Sequence, residues 1–381
     1  MIIKRPVYNQ KLQCVALELI AQQQSNTLKN IQYMLESISQ GAEKNYPLFI
    51  PYGLKDSLEN SAIDIENPLI YKLRAADIDT VYPREEIEHS PYSIALMIEH
   101  PEQLAWLNFA EYIALSELLM DAADVRKVVS FSQSRQRKVI AYGLMRSLSF
   151  ELCRKMTMDF YCGDFLMQPN PEEQSQIAAN KLNVLQLIST LQDPDVEFGV
   201  VSELINSDPL LSYQLLRIAN SVAFSGVGSV DSIDQALVRL GINNLKNWVM
   251  VLSMKNISDK PIEVVESGLI RAKMAEMLCS GETYKVSPNT AYTAGLLSIL
   301  DALLNSPLQA LVDKITIADE IREALLERKG PLGAIIDIVV TYERGQWEKI
   351  SSETFNGHDL SEIYIACLDF VAKSKQALRS I

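Results

Sequence analysis

The chain has 381 residues, of which 48% are hydrophobic and 22% are charged, and its net charge is −13. This length predicts two or three domains, and the composition is that of a globular chain rather than a disordered one. Both halves are acidic, which argues against nucleic acid as a partner because a phosphate backbone would be repelled.

No apolar run reaches the roughly 20 residues that a membrane helix needs. The first residues, MIIKRPVYNQ, lack the apolar segment of a signal peptide. The five cysteines are scattered without a C-x-x-C pair, which indicates reduced thiols rather than disulfides or a zinc site. A cytoplasmic protein without a membrane partner is therefore expected.

Residues 1–169 alternate short apolar runs with helical segments, a pattern typical of a parallel sheet covered by helices. The predicted helices are Thr27–Gln40, Asp121–Phe131 and Leu144–Met156. The strand candidates are MIIKRPVY, LQCVALELIA, Pro47–Pro51, Tyr92–Ile98, Tyr112–Ser116 and Lys138–Gly143. The pattern indicates an α/β barrel, but the span is short for a complete barrel of about 250 residues. A truncated barrel is expected.

Residues 170–381 have almost only helical patterns. Asp208 followed by Pro209 predicts a helix start, and Ser232 predicts another whose helix ends at Gly241. Further helices are predicted over Glu263–Ser280, Pro288–Asn305, Ile317–Glu327 and Leu360–Ala377. The chain is thus predicted to combine an α/β domain, residues 1–169, with an all-α domain, residues 170–381.

The motifs of the second domain carry a family resemblance. Ser207–Met254, which begins SDPLLSYQLLRIANS, resembles the core of an HDOD domain, a helical module related to the HD phosphohydrolases and generally without their metal site. Arg271–Leu278, the stretch AGLLSILDALLNSPL and Gly330–Trp347 resemble the HDOD version found behind EAL-like domains. The resemblance covers roughly Pro171 to Gln376 and implies a helical bundle of the HD-superfamily type.

The first domain resembles an EAL domain, the cyclic di-GMP phosphodiesterase barrel. Lys4–Gln22 is similar to its opening hairpin, with ELIAQ in place of the Glu-Ala-Leu-x-Arg signature. Met158–Pro169 resembles its closing strand, and the middle looks shortened around Asn60–Tyr82. The resemblance implies a degenerate EAL-type, TIM-like barrel.

The EAL resemblance implies two divalent metals, held by clustered carboxylates and an amide. Glu18 matches the glutamate of the signature. The other matching positions carry residues that do not fit this role: Gln22, Met97, Ile98, Ala114, Ser116, Tyr142 and Cys162. One carboxylate cannot hold two hard cations, so Glu18 is expected to be structural and to pair with Lys4 or Arg5.

The metal ligands that the HD resemblance implies are also missing from the sequence. An HD phosphohydrolase binds its metals through histidines and aspartates, but the three histidines are His89, His100 and His358, outside the helical core. Ser298 and Ile299 stand where the ligand pair belongs, with Asp301 one turn away. No metal, no cofactor and no catalytic residue is predicted.

These absences favour a non-catalytic signal-transduction protein that acts by protein–protein interaction in cyclic di-GMP, motility or stress signalling. Its predicted partner is another signalling protein, and a homodimer is left open. Two alternatives are a metal-independent cyclic di-GMP receptor without hydrolysis and an enzyme with an unrecognised site. Candidate residues of a partner or regulatory pocket are Arg217, Asn220, Arg239, Arg271, Ser298 and Asp301, which could equally bond neighbouring helices.

Overall fold

The computed structural model describes residues 1–22, 27–40, 43–60, 65–100, 102–103, 106, 108, 110–117, 125–170, 179–224, 226, 228–279, 284–350 and 359–379. The chain forms two compact units, Met1–Leu166 and Met167–Ile381. His358 and the start of the helix predicted from Asp121 lie outside the described residues. No helix in the described part of the chain is long and apolar enough to cross a bilayer.

The first unit is a closed barrel in which each strand pairs with the next and the last pairs with the first. Strands β1 and β2 are antiparallel, β8 is antiparallel to β1, and β2 to β8 run parallel. The strands are β1 (Ile2–Tyr8), β2 (Cys14–Ala21), β3 (Leu48–Pro51), β4 (Leu69–Arg74), β5 (Ser93–Ile98), β6 (Tyr112–Ser116), β7 (Lys138–Leu144) and β8 (Phe160–Gly163). The antiparallel start agrees with the predicted hairpin.

The expectation of a truncated barrel is wrong. All eight strands are present in 166 residues because several connections are very short. The helices of this unit are α1 (Thr27–Gln40), α2 (Lys55–Glu59), α3 (Arg84–Glu88), α4 (Val125–Ser134) and α5 (Ser147–Lys155). Helices α2 and α3 have five residues each, so the connections on both sides of β4 are compressed. Strand β4 lies inside the stretch Asn60–Tyr82, from which the sequence predicted no element.

The barrel interior is apolar through its middle and closed at its amino end. The buried layer consists of Val7, Ala16, Phe49, Ile70, Ala95, Ala114, Ile140 and Cys162. Tyr112 and Phe160, which begin β6 and β8, pack against Phe49 with ring centroids 5.6 and 6.4 Å from its own. Lys138 Nζ lies over both rings, 5.7 and 5.6 Å from their centroids. These side chains cover the amino ends of the strands, and enzymes with barrels of this kind place their catalytic groups at the carboxyl ends.

The second unit is helical. Its α-helices are α6 (Ala179–Gln192), α7 (Phe198–Asn206), α8 (Pro209–Ala219), α9 (Ile233–Ile257), α10 (Ile262–Leu278), α11 (Pro288–Leu297), α12 (Leu300–Leu304), α13 (Leu308–Val312), α14 (Asp319–Glu327), α15 (Gly330–Glu343) and α16 (Leu360–Arg379). The predicted caps are confirmed: Asp208 accepts bonds from the backbone of Leu210 and Leu211, and Ser232 from that of Gln235.

One predicted helix limit agrees with the structure and one differs. Gly241 ends the first helical stretch with a positive φ of 74°, as predicted, and a new helical stretch follows at once, so α9 is a kinked helix. The helix predicted over Pro288–Asn305 is divided into α11 and α12, and Asn305 ends the second with a left-handed φ of 51°. In both cases the local signal marks a change of direction rather than the end of helical structure.

Candidate functional site

Polar side chains gather inside the barrel against its apolar layer, which includes Cys162. Glu18 is on β2, Lys72 on β4, Tyr142 on β7 and Cys162 on β8, and we call these four residues the barrel site. They line a cavity of about 20 Å³ together with Val7, Phe49, Ala95, Met97, Ala114 and Ile140. A space of this size holds about one water molecule. A larger ligand must therefore remain outside and present only a small group to the barrel site.

The centre of the barrel site is a buried ion pair. Glu18 Oε1 accepts a hydrogen bond from Lys72 Nζ at 2.6 Å, and the two side chains are 10% and 12% exposed. Glu18 Oε2 accepts a second bond from Cys162 Sγ at 2.9 Å. Three strands thus supply one hydrogen-bonded group. All three are even-numbered strands, which is how barrels of this kind assemble each interior layer from alternate strands.

The ion pair sets the protonation states of the site. Burial alone would raise the pKa of Glu18, but the charges of Lys72 and Arg5 and the bonds from Cys162 and Lys72 lower it below 4.5. Burial, the Glu18 charge and the bond to Glu18 raise the pKa of the Cys162 thiol well above 9.0. At neutral pH the site therefore contains a carboxylate and a protonated thiol.

A second polar pair lies beside the first. Tyr142 donates its hydroxyl hydrogen to Glu99 Oε1 at 3.2 Å, and Glu99 directly follows β5. Burial, followed by the charge of Glu99, raises the pKa of Tyr142, so the phenol stays protonated at neutral pH. On the other side Arg5 pairs with Asp164 across 3.6 Å. The barrel thus has the Tyr142–Glu99 hydrogen bond and the Arg5–Asp164 pair in addition to the Glu18–Lys72 pair.

Of the two partners expected for Glu18, Lys4 is wrong and Arg5 acts on Glu18 only through its charge. Lys4 pairs with Glu43 at 2.8 Å, because alternation along β1 turns Lys4 away from the face that Arg5 and Glu18 share. Arg5 stands directly opposite Glu18 in the β1–β2 ladder and acts on it through its charge. The direct partner is Lys72, which the sequence analysis missed together with its strand. A lysine inside an otherwise apolar run was the available signal.

The donor set of the barrel site does not fit the pair of divalent metals that the EAL resemblance implies. Among the described residues, no three histidine, cysteine, aspartate or glutamate side chains are grouped closely enough to hold a metal. The space beside Glu18 is taken by an ammonium group, which has no lone pair for a metal. A divalent ion about 4 Å from that ammonium would be repelled by about 8 kcal/mol at an effective dielectric constant of about 20.

Three of the candidate residues of the helical unit lie together. Arg271 is 5% exposed and donates to Glu343 Oε2 at 2.6 Å and to Ser298 O and Oγ at 3.1 and 3.3 Å. Asp301 is near enough for the Arg271 charge to act on its pKa, but burial is the larger effect and raises that pKa. This cluster joins α10, the end of α11 and α15.

The packing around this cluster leaves little free space. A Cβ atom added at Gly295 would lie 2.6 Å from Arg271 O, and one added at Gly268 would lie 2.8 Å from Ile299 Cγ2. Helices α10 and α11 therefore approach each other too closely for any side chain at these two positions. A ligand the size of a nucleotide has no room between these helices.

The other three candidates lie around a turn. Arg239 Nη2 donates to Gly228 O at 2.8 Å, and Asn220 Nδ2 donates to Val230 O at 2.8 Å. These two bonds connect the helices to Gly228 and Val230, which precede α9. The Arg217 guanidinium instead lies over the Tyr213 ring of the same helix, α8, 5.8 Å from its centroid. The six candidates thus do not form one site, and each has contacts within the helical unit.

The helical unit contains an HDOD domain: residues 181–324 match this family. The named relatives extend further along the chain. Cyclic di-GMP phosphodiesterase CdgJ of Vibrio cholerae serotype O1 is 28% identical over 288 residues, which cover 73% of this chain and 66% of that protein. YuxH of Bacillus subtilis (strain 168), an uncharacterized protein, is 24% identical over 400 residues. This match covers 97% of this chain and 96% of YuxH.

Solved structures match more loosely. A crystal structure of an HDOD domain protein with unknown function from Geobacter sulfurreducens is 16% identical, with a TM-score of 0.36. The match covers 54% of this chain and 88% of that one. A score at this level supports no functional conclusion.

The relationship to CdgJ contradicts two predictions, namely that the protein is a non-catalytic signalling protein and that it is not an enzyme. Both are wrong, because a relative aligned over 73% of this chain is named as an enzyme. The absence of EAL-type metal ligands at the matching positions does not by itself exclude catalysis, because other charged side chains can stabilise a reacting group.

Proposed function

We propose that this chain is an enzyme of cyclic di-GMP turnover that hydrolyses a phosphodiester bond at the carboxyl end of an EAL-type barrel. The observation that carries the proposal is the relationship to CdgJ, which is named for this activity. The barrel supports it, because enzymes with this architecture place their catalytic groups at the carboxyl ends of the strands. Glu18, Lys72, Tyr142 and Cys162 line one cavity inside this barrel.

The size of the cavity decides how such a substrate would bind. Two nucleotides joined in a ring are far larger than a cavity of about 20 Å³. In the proposed complex, one phosphodiester group faces the barrel site and the bases stay on the surrounding loops. The single water that the cavity can hold then lies between the phosphorus atom and the side chains beneath it.

The reaction needs no redox partner. Water adds its oxygen to phosphorus, one phosphorus–oxygen bond to a ribose breaks, and the released ribose oxygen takes up the remaining proton. Lys72 supplies positive charge to the phosphodiester anion, whose charge grows on the oxygens as water adds. Glu18 is ionised at neutral pH and accepts hydrogen bonds from water, although its lowered pKa makes it a weak base. Its proposed task is to orient the water.

The helical unit has no assigned chemistry in this proposal. The signalling-protein partner and the homodimer expected from the sequence stay predictions.

The direct test is hydrolysis by the purified full-length chain. Cyclic di-GMP is incubated with the protein, with EDTA or with magnesium or manganese, and the linear dinucleotide is measured by liquid chromatography. We expect product from the native protein and a decrease of about 100-fold in Glu18→Gln, the range typical for loss of one preorganised group. Lys138→Met is the control, because Lys138 lies at the closed end of the same barrel. The absence of product under every condition would contradict the proposal.

A further inference from the structure

The positive charge of the barrel site belongs to the protein itself. We propose that the ammonium group of Lys72 takes the place of a bound divalent ion, so that the barrel site receives a phosphodiester anion without any metal. This inference rests on the proposed function for its choice of ligand. The part that concerns metals stands on the geometry of the barrel site alone.

The carboxylates around the barrel site already have partners. Lys72 is paired with Glu18, Arg5 is paired with Asp164, and Tyr142 donates a hydrogen bond to Glu99. A site built for two hard cations needs several carboxylates that are free to bind them. Strand β8 contributes Cys162, whose protonated thiol donates its hydrogen to Glu18 and is therefore not available as a metal ligand. A metal ion at Glu18 would have to displace both Lys72 and Cys162 from this carboxylate.

The position of Lys72 suits an anion better than a metal. Its side chain lines the cavity beside Glu18 and Tyr142, so its charge faces the space that a phosphate oxygen would approach. An ammonium group has three donors. The bond to Glu18 uses one of them, and this bond fixes the side chain so that little conformational entropy is lost when an anion binds.

The first experiment measures metal binding with no substrate present. Manganese chloride is titrated into the EDTA-treated full-length chain, with calorimetry and thermal unfolding as the two readouts. We expect no stoichiometric binding and no manganese-dependent shift in Tm for the native protein. Lys72→Glu places a second carboxylate beside Glu18 and is expected to gain manganese binding. Stoichiometric binding by the native protein would overturn the inference.

The second experiment measures binding of cyclic di-GMP in the presence of EDTA. Loss of a hydrogen bond to a charged group predicts at least about tenfold weaker binding by Lys72→Met. Lys72→Arg keeps the charge and is expected to stay within about threefold of the native protein. Lys138→Met, at the other end of the barrel, is expected to bind like the native protein. If Lys72→Met does not fold, Lys72→Gln takes its place in the comparison with Lys72→Arg.

The two experiments separate failure of this inference from failure of the proposed function. If the native protein binds neither manganese nor cyclic di-GMP, the inference that no metal binds is supported and cyclic di-GMP is rejected as the ligand. If cyclic di-GMP binds only in the presence of manganese, the ligand is supported and the proposed role of Lys72 is rejected. Equal binding by Lys72→Met and the native protein in EDTA would also reject that role.

Discussion

Substitution of Lys72 by methionine gives the sharpest test of the buried ion pair. The change keeps most of the side-chain volume but removes the ammonium group that bonds Glu18 at 2.6 Å. Glu18 is then left with the Cys162 bond and the more distant charge of Arg5. Removing one partner of a buried pair typically costs about 3–5 kcal/mol, since the other charge remains buried without compensation. We expect a loss of this size in the barrel unit.

Hydrogen exchange measured by mass spectrometry is the suitable assay, because the two units need not unfold together. Peptides from β2 and β4 report the barrel, and peptides from α10 and α11 serve as an internal control. The double variant Glu18→Gln with Lys72→Met removes both charges and is expected to recover most of the lost protection. Unchanged exchange in β2 and β4 of the single variant would refute the reasoning, as would a double variant less protected than Lys72→Met.

Three further predictions concern acid sensitivity and packing. The folded pKa of Glu18 lies below 4.5, so its stabilising contribution is complete above pH 4.5 and is lost as the pH falls through the folded pKa. Hydrogen exchange in the barrel should therefore rise on acidification, and Glu18→Gln should make this rise smaller. Gly295→Ala places Cβ 2.6 Å from a backbone oxygen and should lower the free energy of unfolding in denaturant by at least about 1–3 kcal/mol. The control Gly199→Ala, whose Cβ has no atom within 4 Å, should be neutral or stabilising. Equal effects of the two variants would contradict the packing argument. Arg271→Met leaves the Glu343 carboxylate without its 2.6 Å partner and should cost about 3 kcal/mol in the helical unit, which a Tm equal to that of the native protein would disprove.

Much of the fold follows from local patterns in the sequence. The bounds of α1 agree with the periodicity over Thr27–Gln40, and the strands at Leu48–Pro51 and Tyr112–Ser116 coincide with continuous apolar runs. The caps at Asp208 and Ser232 follow from short-range hydrogen bonding, which depends on three or four neighbouring residues only. Features of this kind need no knowledge of distant contacts.

The parts that the sequence did not reveal depend on contacts between distant residues. Strand β4 carries Lys72 and Arg74, so its apolar pattern is weak in isolation. The truncated barrel was expected because 169 residues are few for a complete barrel, and the short connections that allow closure depend on the packing of all eight strands. The pairing of Glu18 with Lys72 joins β2 to β4 across the intervening β3, so it cannot be predicted without knowing the strand order.

The most direct test of the central claim is the hydrolysis of cyclic di-GMP by native protein and by Lys72→Met after removal of metals with EDTA. The account predicts linear dinucleotide from the metal-free native protein, little from Lys72→Met, and no increase when manganese is returned to the native protein. Product that forms only after manganese is added, or at equal rates in the two proteins, would contradict it.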